Sequence, residues 1–122
     1  MLKSLNMLNL FAHADAKKFA SGDVVFREED PGDAMYIVKS GKVVLKAGER
    51  AFETLSAGAI FGEMALIDNE KRSASATASG ECELIVIDEK RFNFLVQETP
   101  YFAQHVMRVM ANRLRQMNKQ AK

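Results

Sequence analysis

The chain is poor in cysteine, proline and tryptophan, and it carries almost no net charge. Its 122 residues include one cysteine, two prolines and no tryptophan, and 17 Lys and Arg against 16 Asp and Glu leave a formal charge of +1. A lone Cys82 excludes an internal disulfide, a four-cysteine zinc site and a cysteine-ligated iron–sulfur cluster, and it favours a reducing, cytoplasmic setting. No apolar run approaches the roughly 18 residues that a membrane-crossing helix needs, so a soluble protein with no membrane partner is expected. With 48% hydrophobic and 27% charged residues, the composition is that of neither a disordered acidic tail nor a low-complexity chain. One compact domain spanning 1–122 is expected, because a single core is the default below about 150 residues.

The near-neutral total hides an uneven distribution. Residues 101–122 hold five basic side chains and no acidic one. Arg108, Arg113, Arg115, Lys119 and Lys122 have the charge to touch nucleic acid. Their spacing places them mostly around the polar side of an apolar helix, which reads as a solvated face, so nucleic acid is not the expected partner. At the other end, Lys3, then Leu5, Met7, Leu8, Leu10 and Phe11, then Ala12-His13-Ala14 superficially resemble a secretory signal and its cleavage site. Ser4, Asn6 and Asn9 break that stretch, and apolar positions 5, 8, 11 and 12 follow a helical period. A short amphipathic helix within an N-terminal helical segment, 1–22, is the expectation.

From Asp23 the pattern changes to short β-rich runs: Val24 to Phe26, Met35 to Val38, Val43 to Leu45, Ala51 to Leu55, Ser73 to Ala78 and Leu84 to Ile87. Between them Asp30-Pro31-Gly32-Asp33, Ser40-Gly41, Ala47-Gly48 and Ala57-Gly58 supply turn chemistry at close intervals, the mark of a sandwich or small barrel over 23–88. A helical period returns over Glu89 to Glu98, and Thr99-Pro100 breaks that helix and starts another reaching about Asn118, which makes 89–122 a pair of C-terminal helices. In the last helix Ala103, Met107, Met110, Leu114, Met117 and Ala121 recur at alternating four- and three-residue steps, widened by Phe102, Val106 and Val109. So much apolar surface suits two neighbours, the barrel and a second copy of the chain. The fold class is mainly β with flanking α-helices.

The chemistry lies in Phe61-Gly62-Glu63-Met64-Ala65-Leu66-Ile67 and in Arg72-Ser73-Ala74. Gly62 lets backbone approach a ligand closely, and Glu63 to Ile67 can form one short helical turn whose free N–H groups attract an anion. Arg72 opens a run of small residues that leaves room above a sheet, and an arginine fork over such a pocket suits a phosphate. Glu63 beside that phosphate needs something that donates, and a sugar hydroxyl does. Phosphate plus hydroxyl points to a nucleotide. The other reading of the same residues is a structural Glu63–Arg72 salt bridge with small side chains matching a tight barrel. On spacing alone the two stand level.

This stretch resembles the phosphate-binding cassette of the cyclic-nucleotide-binding domain family, in which Phe-Gly-Glu, a small apolar turn and a short loop lead to Arg, a small or hydroxyl residue and Ala. Gly22-Asp23-Val24-Val25-Phe26, Gly32 to Val38 and Ser40-Gly41-Lys42-Val43 resemble the family's early strands and glycine turns, so the likeness covers about residues 18–118 in consistent order. The resemblance implies an eight-stranded β-roll, jelly-roll-like, with a short N-terminal helix and two C-terminal helices. It further implies that Glu63 accepts from the ribose 2′-hydroxyl and Arg72 pairs with the cyclic phosphate. Ser73 adds a hydroxyl, and the amides of Gly62, Met64 and Ala65 complete the phosphate contacts. The base-contacting positions of the long helix fall near Met117 and Asn118. The implied ligand is cyclic AMP, with cyclic GMP as the alternative.

The sequence ends at Lys122 without the helix-turn-helix of the family's transcription activators, so a DNA-reading role is not expected. His13 and His105 lie far apart in sequence with no cysteine or second histidine close by, and nothing near Cys82 in sequence supplies a base for nucleophilic attack. Neither a metal nor catalysis is expected. The expectation is a stand-alone sensor that signals by rearrangement of its C-terminal helices to a second subunit or an effector protein. An interaction module with an empty pocket, and the remnant of a transcription regulator, are the alternatives.

Overall fold

The computed structural model describes Phe11 and residues 15–120. The β-rich runs form eight strands: β1 (Lys17–Phe19), β2 (Val24–Phe26), β3 (Ala34–Ser40), β4 (Val43–Ala47), β5 (Arg50–Leu55), β6 (Ile60–Phe61), β7 (Ser75–Ala78) and β8 (Cys82–Asp88). A short helix α1 (Glu63–Asp68) separates β6 from β7, and α2 (Glu89–Glu98) and α3 (Pro100–Gln120) follow β8. The strands make two antiparallel four-stranded sheets, ordered β1-β8-β3-β6 and β2-β7-β4-β5. With α2 and α3 against the first sheet, this is a β-roll with flanking helices.

Strand periodicity explains why β3 and β8 read as nearly unbroken apolar runs. Successive side chains point to opposite faces, and here both faces are covered. Met35, Ile37, Ile85 and Ile87 pack with Leu66, Leu95, Phe102 and Val106 on the helical side. Val38, Leu84 and Cys82 face the second sheet, where they meet Val43, Leu45, Leu55, Ala76 and Ala78. The first sheet is thus the middle layer. Between the two sheets Phe61 stacks on Tyr36 at 5.1 Å, and Phe26 closes the group at 5.9 Å from each.

The helix boundaries follow local chemistry. Asp88 caps α2 by accepting from the Arg91 amide, and Pro100 takes the first position of α3, where no N–H is needed. Three expectations change. The roll begins before residue 23, because β1 pairs Lys17–Phe19 with β8 inside the segment expected to be helical. Ile60–Phe61 forms a strand too short for a sequence pattern to reveal. The run expected from Ser73 is a strand only over Ser75–Ala78, because Arg72 is held by the β2–β3 loop: its N–H donates to the Asp30 carbonyl at 2.8 Å, and its carbonyl accepts from the Glu29 N–H at 2.9 Å. The expected N-terminal helix over 5–12 and His13 lie outside the described residues, apart from Phe11, which is buried against Phe102.

Candidate functional site

Gly62 begins the site. Its φ of +81° is left-handed, a conformation that costs a glycine little, and it turns the chain from β6 into α1. No side chain caps the start of α1. The helix is seated by Gly32 of the β2–β3 loop, where a Cβ would stand 2.1 Å from the Ala65 Cβ. Ala65 and Leu66 are buried, while Ile67 is exposed.

Arg72 comes to the same place from the far side of the loop. It is 3% exposed, and its guanidinium carbon lies over the Phe26 ring, 4.0 Å from the centroid. Its Nη1 donates to the Gly62 carbonyl at 2.7 Å and its Nη2 to the Ala34 carbonyl at 2.6 Å, while its buried Nε has no hydrogen-bond partner. Among the described residues it makes no ion pair. Burial lowers its pKa, opposed by Tyr36, Asp33, Glu63 and Asp30. A buried guanidinium with an unused donor and no carboxylate in contact has the charge and donor capacity to take an anion.

Glu63, the first residue of α1, is fully buried. Its partner is Arg113 of α3 and not Arg72, so the structural Glu63–Arg72 bridge weighed in the sequence is absent. Arg113 Nη1 donates to both Glu63 oxygens at 2.9 and 3.0 Å. Its Nε and Nη2 donate to Glu53 of β5 at 2.9 and 3.3 Å, and Nη2 also reaches the Ile60 carbonyl at 3.1 Å. Burial pushes the Glu63 carboxyl up against the pull of Arg113. Burial works against the Arg113 charge as well, but Glu63 and Glu53 outweigh it and raise the Arg113 pKa.

Arg113 was read from the sequence as part of a solvated face, and that reading is corrected: it is 6% exposed. The signal was present in the spacing, since Phe102, Val106, Val109 and Arg113 continue one inward stripe at steps of four, three and four. Glu53 was also missed, because a glutamate in a strand of mixed polarity carries no such signal.

Gly62, Glu63, Met64, Ala65, Arg72, Ser73, Ala74 and Met117 line one small cavity together with Arg113 and the apolar floor of Phe26, Leu45 and Phe52. Its volume is about 30 Å³, room for a couple of water molecules. Phe61 does not line it; its ring packs against Tyr36 and against Phe26 of the wall. Asn118 is exposed on α3 and does not line the cavity. Among the described residues no His, Cys, Asp and Glu group has the arrangement to hold a metal ion, and no helix is long and apolar enough to cross a membrane.

Residues 16–99 match the sequence profile of the family described as the cyclic nucleotide-binding domain. The chain belongs to that family. The domain is 36% identical over 103 residues to the cyclic AMP receptor protein of Thermus thermophilus, a match covering 80% of this chain and 48% of the relative. It is 33% identical over 82 residues to the cAMP-dependent protein kinase regulatory subunit of Hypocrea atroviridis, covering 67% of this chain and 18% of that one. The crystal structure of the Thermus thermophilus catabolite activator protein superposes on it with a TM-score of 0.80 at 32% identity, covering 95% of this chain and 57% of the other. The domain thus spans about half the length of the bacterial receptor it matches, and the β-roll is common to both.

Proposed function

We propose that the domain binds a cyclic nucleotide, preferring cyclic AMP to cyclic GMP, and works as a cytoplasmic sensor rather than an enzyme. The observation that carries this reading is Arg72: buried, unpaired, with Nε unsatisfied, and set beside the uncapped start of α1. The cyclic phosphate goes to Arg72 and to the amides of Gly62, Met64 and Ala65, with the Ser73 hydroxyl close by. The ribose 2′-hydroxyl donates to Glu63. Met117 covers the base, and Asn118 reaches it only when α3 moves.

Such movement is part of the proposal. Arg113 and Met117, both from α3, roof a cavity with space for only a couple of waters. A nucleotide therefore shifts the population toward conformations in which α3 has repacked, and that shift is the signal passed to a second copy or an effector protein. The preference for cyclic AMP is supported by the two relatives whose names specify it. Discrimination stays within about 1–3 kcal/mol, roughly ten- to two-hundredfold, because a rotatable amide and an apolar cover leave neither base with a buried group wholly unpaired. A sensor role also fits Cys82, whose thiol is buried and pushed up in pKa by that burial, making it a poor nucleophile.

Isothermal titration of the wild type and of Arg72→Ala with both nucleotides tests the reading. The wild type is expected to bind both, cyclic AMP more tightly. Removing one side of a desolvated charged pair costs about 2–5 kcal/mol, so Arg72→Ala weakens binding by roughly tens to thousands of fold. Unchanged affinity in the folded variant overturns the phosphate assignment. The Glu63–Arg113 pair, with one arginine nitrogen on both carboxylate oxygens, and the small cavity favour a second reading, an interaction module with no ligand, which predicts that the wild type binds neither nucleotide.

A further inference from the structure

Arg113 is gripped along two separate edges of its guanidinium. Nη1 serves Glu63 alone, while Nε and Nη2 serve Glu53 and the Ile60 carbonyl. Glu53 belongs to β5, the edge strand of the second sheet, and Glu63 opens α1. One side chain from α3 therefore ties a sheet edge to the start of the proposed binding helix. The two carboxylates differ in access: the Glu63 side chain is 1% exposed and that of Glu53 33%. Glu53 is also not among the residues lining the cavity.

A ribose hydroxyl that donates to Glu63 competes with Nη1 and with no other atom of Arg113. The bonds from Nε and Nη2 to Glu53 and Ile60 survive that exchange. If Glu53 lost its charge, Glu63 would be the single anion left to Arg113, and the ion pair would close on itself at the expense of the ribose. We propose that Glu53 is a positioning residue for nucleotide binding: it keeps Arg113 seated on the sheet edge, so that Glu63 is free to accept the ribose hydroxyl. This rests on the reading of Glu63 as ribose acceptor. The role requires arginine at 113, because only its planar fork spans two carboxylates at once; a lysine ammonium keeps the charge and loses the bridge.

The test is titration of wild type, Glu53→Gln, Arg113→Lys and the double variant with cyclic AMP and with 2′-deoxy cyclic AMP. Glu53→Gln is expected to weaken cyclic AMP binding about tenfold and to leave the 2′-deoxy analogue within about twofold, since the analogue makes no demand on Glu63. In the Arg113→Lys background, Glu53→Gln should add nothing, because the group it acts through is gone. A thermal unfolding curve for Glu53→Gln checks that the variant is folded. Equal losses for both ligands, or full additivity with Arg113→Lys, overturn the proposal by showing Glu53 to be structural. A wild type that binds both ligands equally removes instead the ribose role of Glu63, and one that binds neither removes the nucleotide reading; each takes the Glu53 proposal down for a different and visible reason.

Discussion

A carboxylate with no exposed surface needs a bonded cation, and Glu63 has one in Arg113. Because burial still holds its carboxyl above the ordinary glutamate value, the folded chain takes up a proton here more readily than the unfolded chain does. The buried charge therefore costs stability at neutral pH, and that cost is relieved as pH falls through the raised value toward the ordinary one. Binding runs the opposite way: a protonated Glu63 is a poorer acceptor for a hydroxyl. Cyclic AMP affinity should fall as pH drops through that raised value, and 2′-deoxy cyclic AMP should be less affected. Glu63→Gln should lose roughly 1–3 kcal/mol for the ribose ligand, spare the deoxy ligand and abolish the acid-side drop, all read by titration at several pH values. A drop that persists in Glu63→Gln assigns it to another group. Spacing left Glu63 and Arg72 level between a ligand site and a mutual salt bridge, and only the resemblance to the family's cassette favoured the ligand; the structure puts both on one cavity and pairs Glu63 with Arg113. Arg113 was not legible, because charge alone does not mark which of the four Lys and Arg residues of α3 turns inward; only its place on the apolar stripe does.

At the scale of elements, α1 is the critical piece and the least self-sufficient. A helix of six residues is far below the length that is stable alone, and this one has no side-chain cap. Its position comes from packing, with Ala65 against Gly32 and Leu66 in the core beside Met35 and Ile37. Gly32→Ala places a methyl within 3.2 Å of the Ala65 backbone as well as against its Cβ, which forces α1 outward. The expected outcome is a loss of about 1–3 kcal/mol in urea denaturation together with weakened nucleotide binding. A variant with wild-type stability and affinity would show that α1 is positioned by other contacts. The strands that sequence revealed are those with β-branched or aromatic runs, such as Met35 to Val38 and Leu84 to Ile87. β1 escaped because Lys17-Lys18-Phe19 is short and charged, as suits the edge of a sheet, and β6 because two residues define no period.

Across the whole molecule the layers run from the second sheet through the first to the helices, and among the described residues one flank of α3 is left uncovered. Phe102 and Val106 are buried against the roll, whereas Met107 is 56% and Leu114 46% exposed. Met110 and Met117 are half-buried in the same row. Arg108, Arg115 and Lys119 fall on a different side of the helix by its 3.6-residue period, so a second α3 meeting this row would not face those like charges directly. A parallel helix pair through Met107, Met110, Leu114 and Met117 would cover the patch. Met117 belongs to both this row and the cavity wall, so pairing of the helices and binding of a nucleotide would act on one side chain. Linkage then requires reciprocity: the factor by which nucleotide alters self-association equals the factor by which self-association alters nucleotide affinity. Light scattering at roughly tens of micromolar, where ordinary specific dimers persist, should find a wild-type dimer and a Leu114→Glu monomer, with the wild-type equilibrium displaced by added cyclic AMP. A wild-type monomer refutes the pairing. A dimer that cyclic AMP leaves unmoved keeps the seam but separates it from the site.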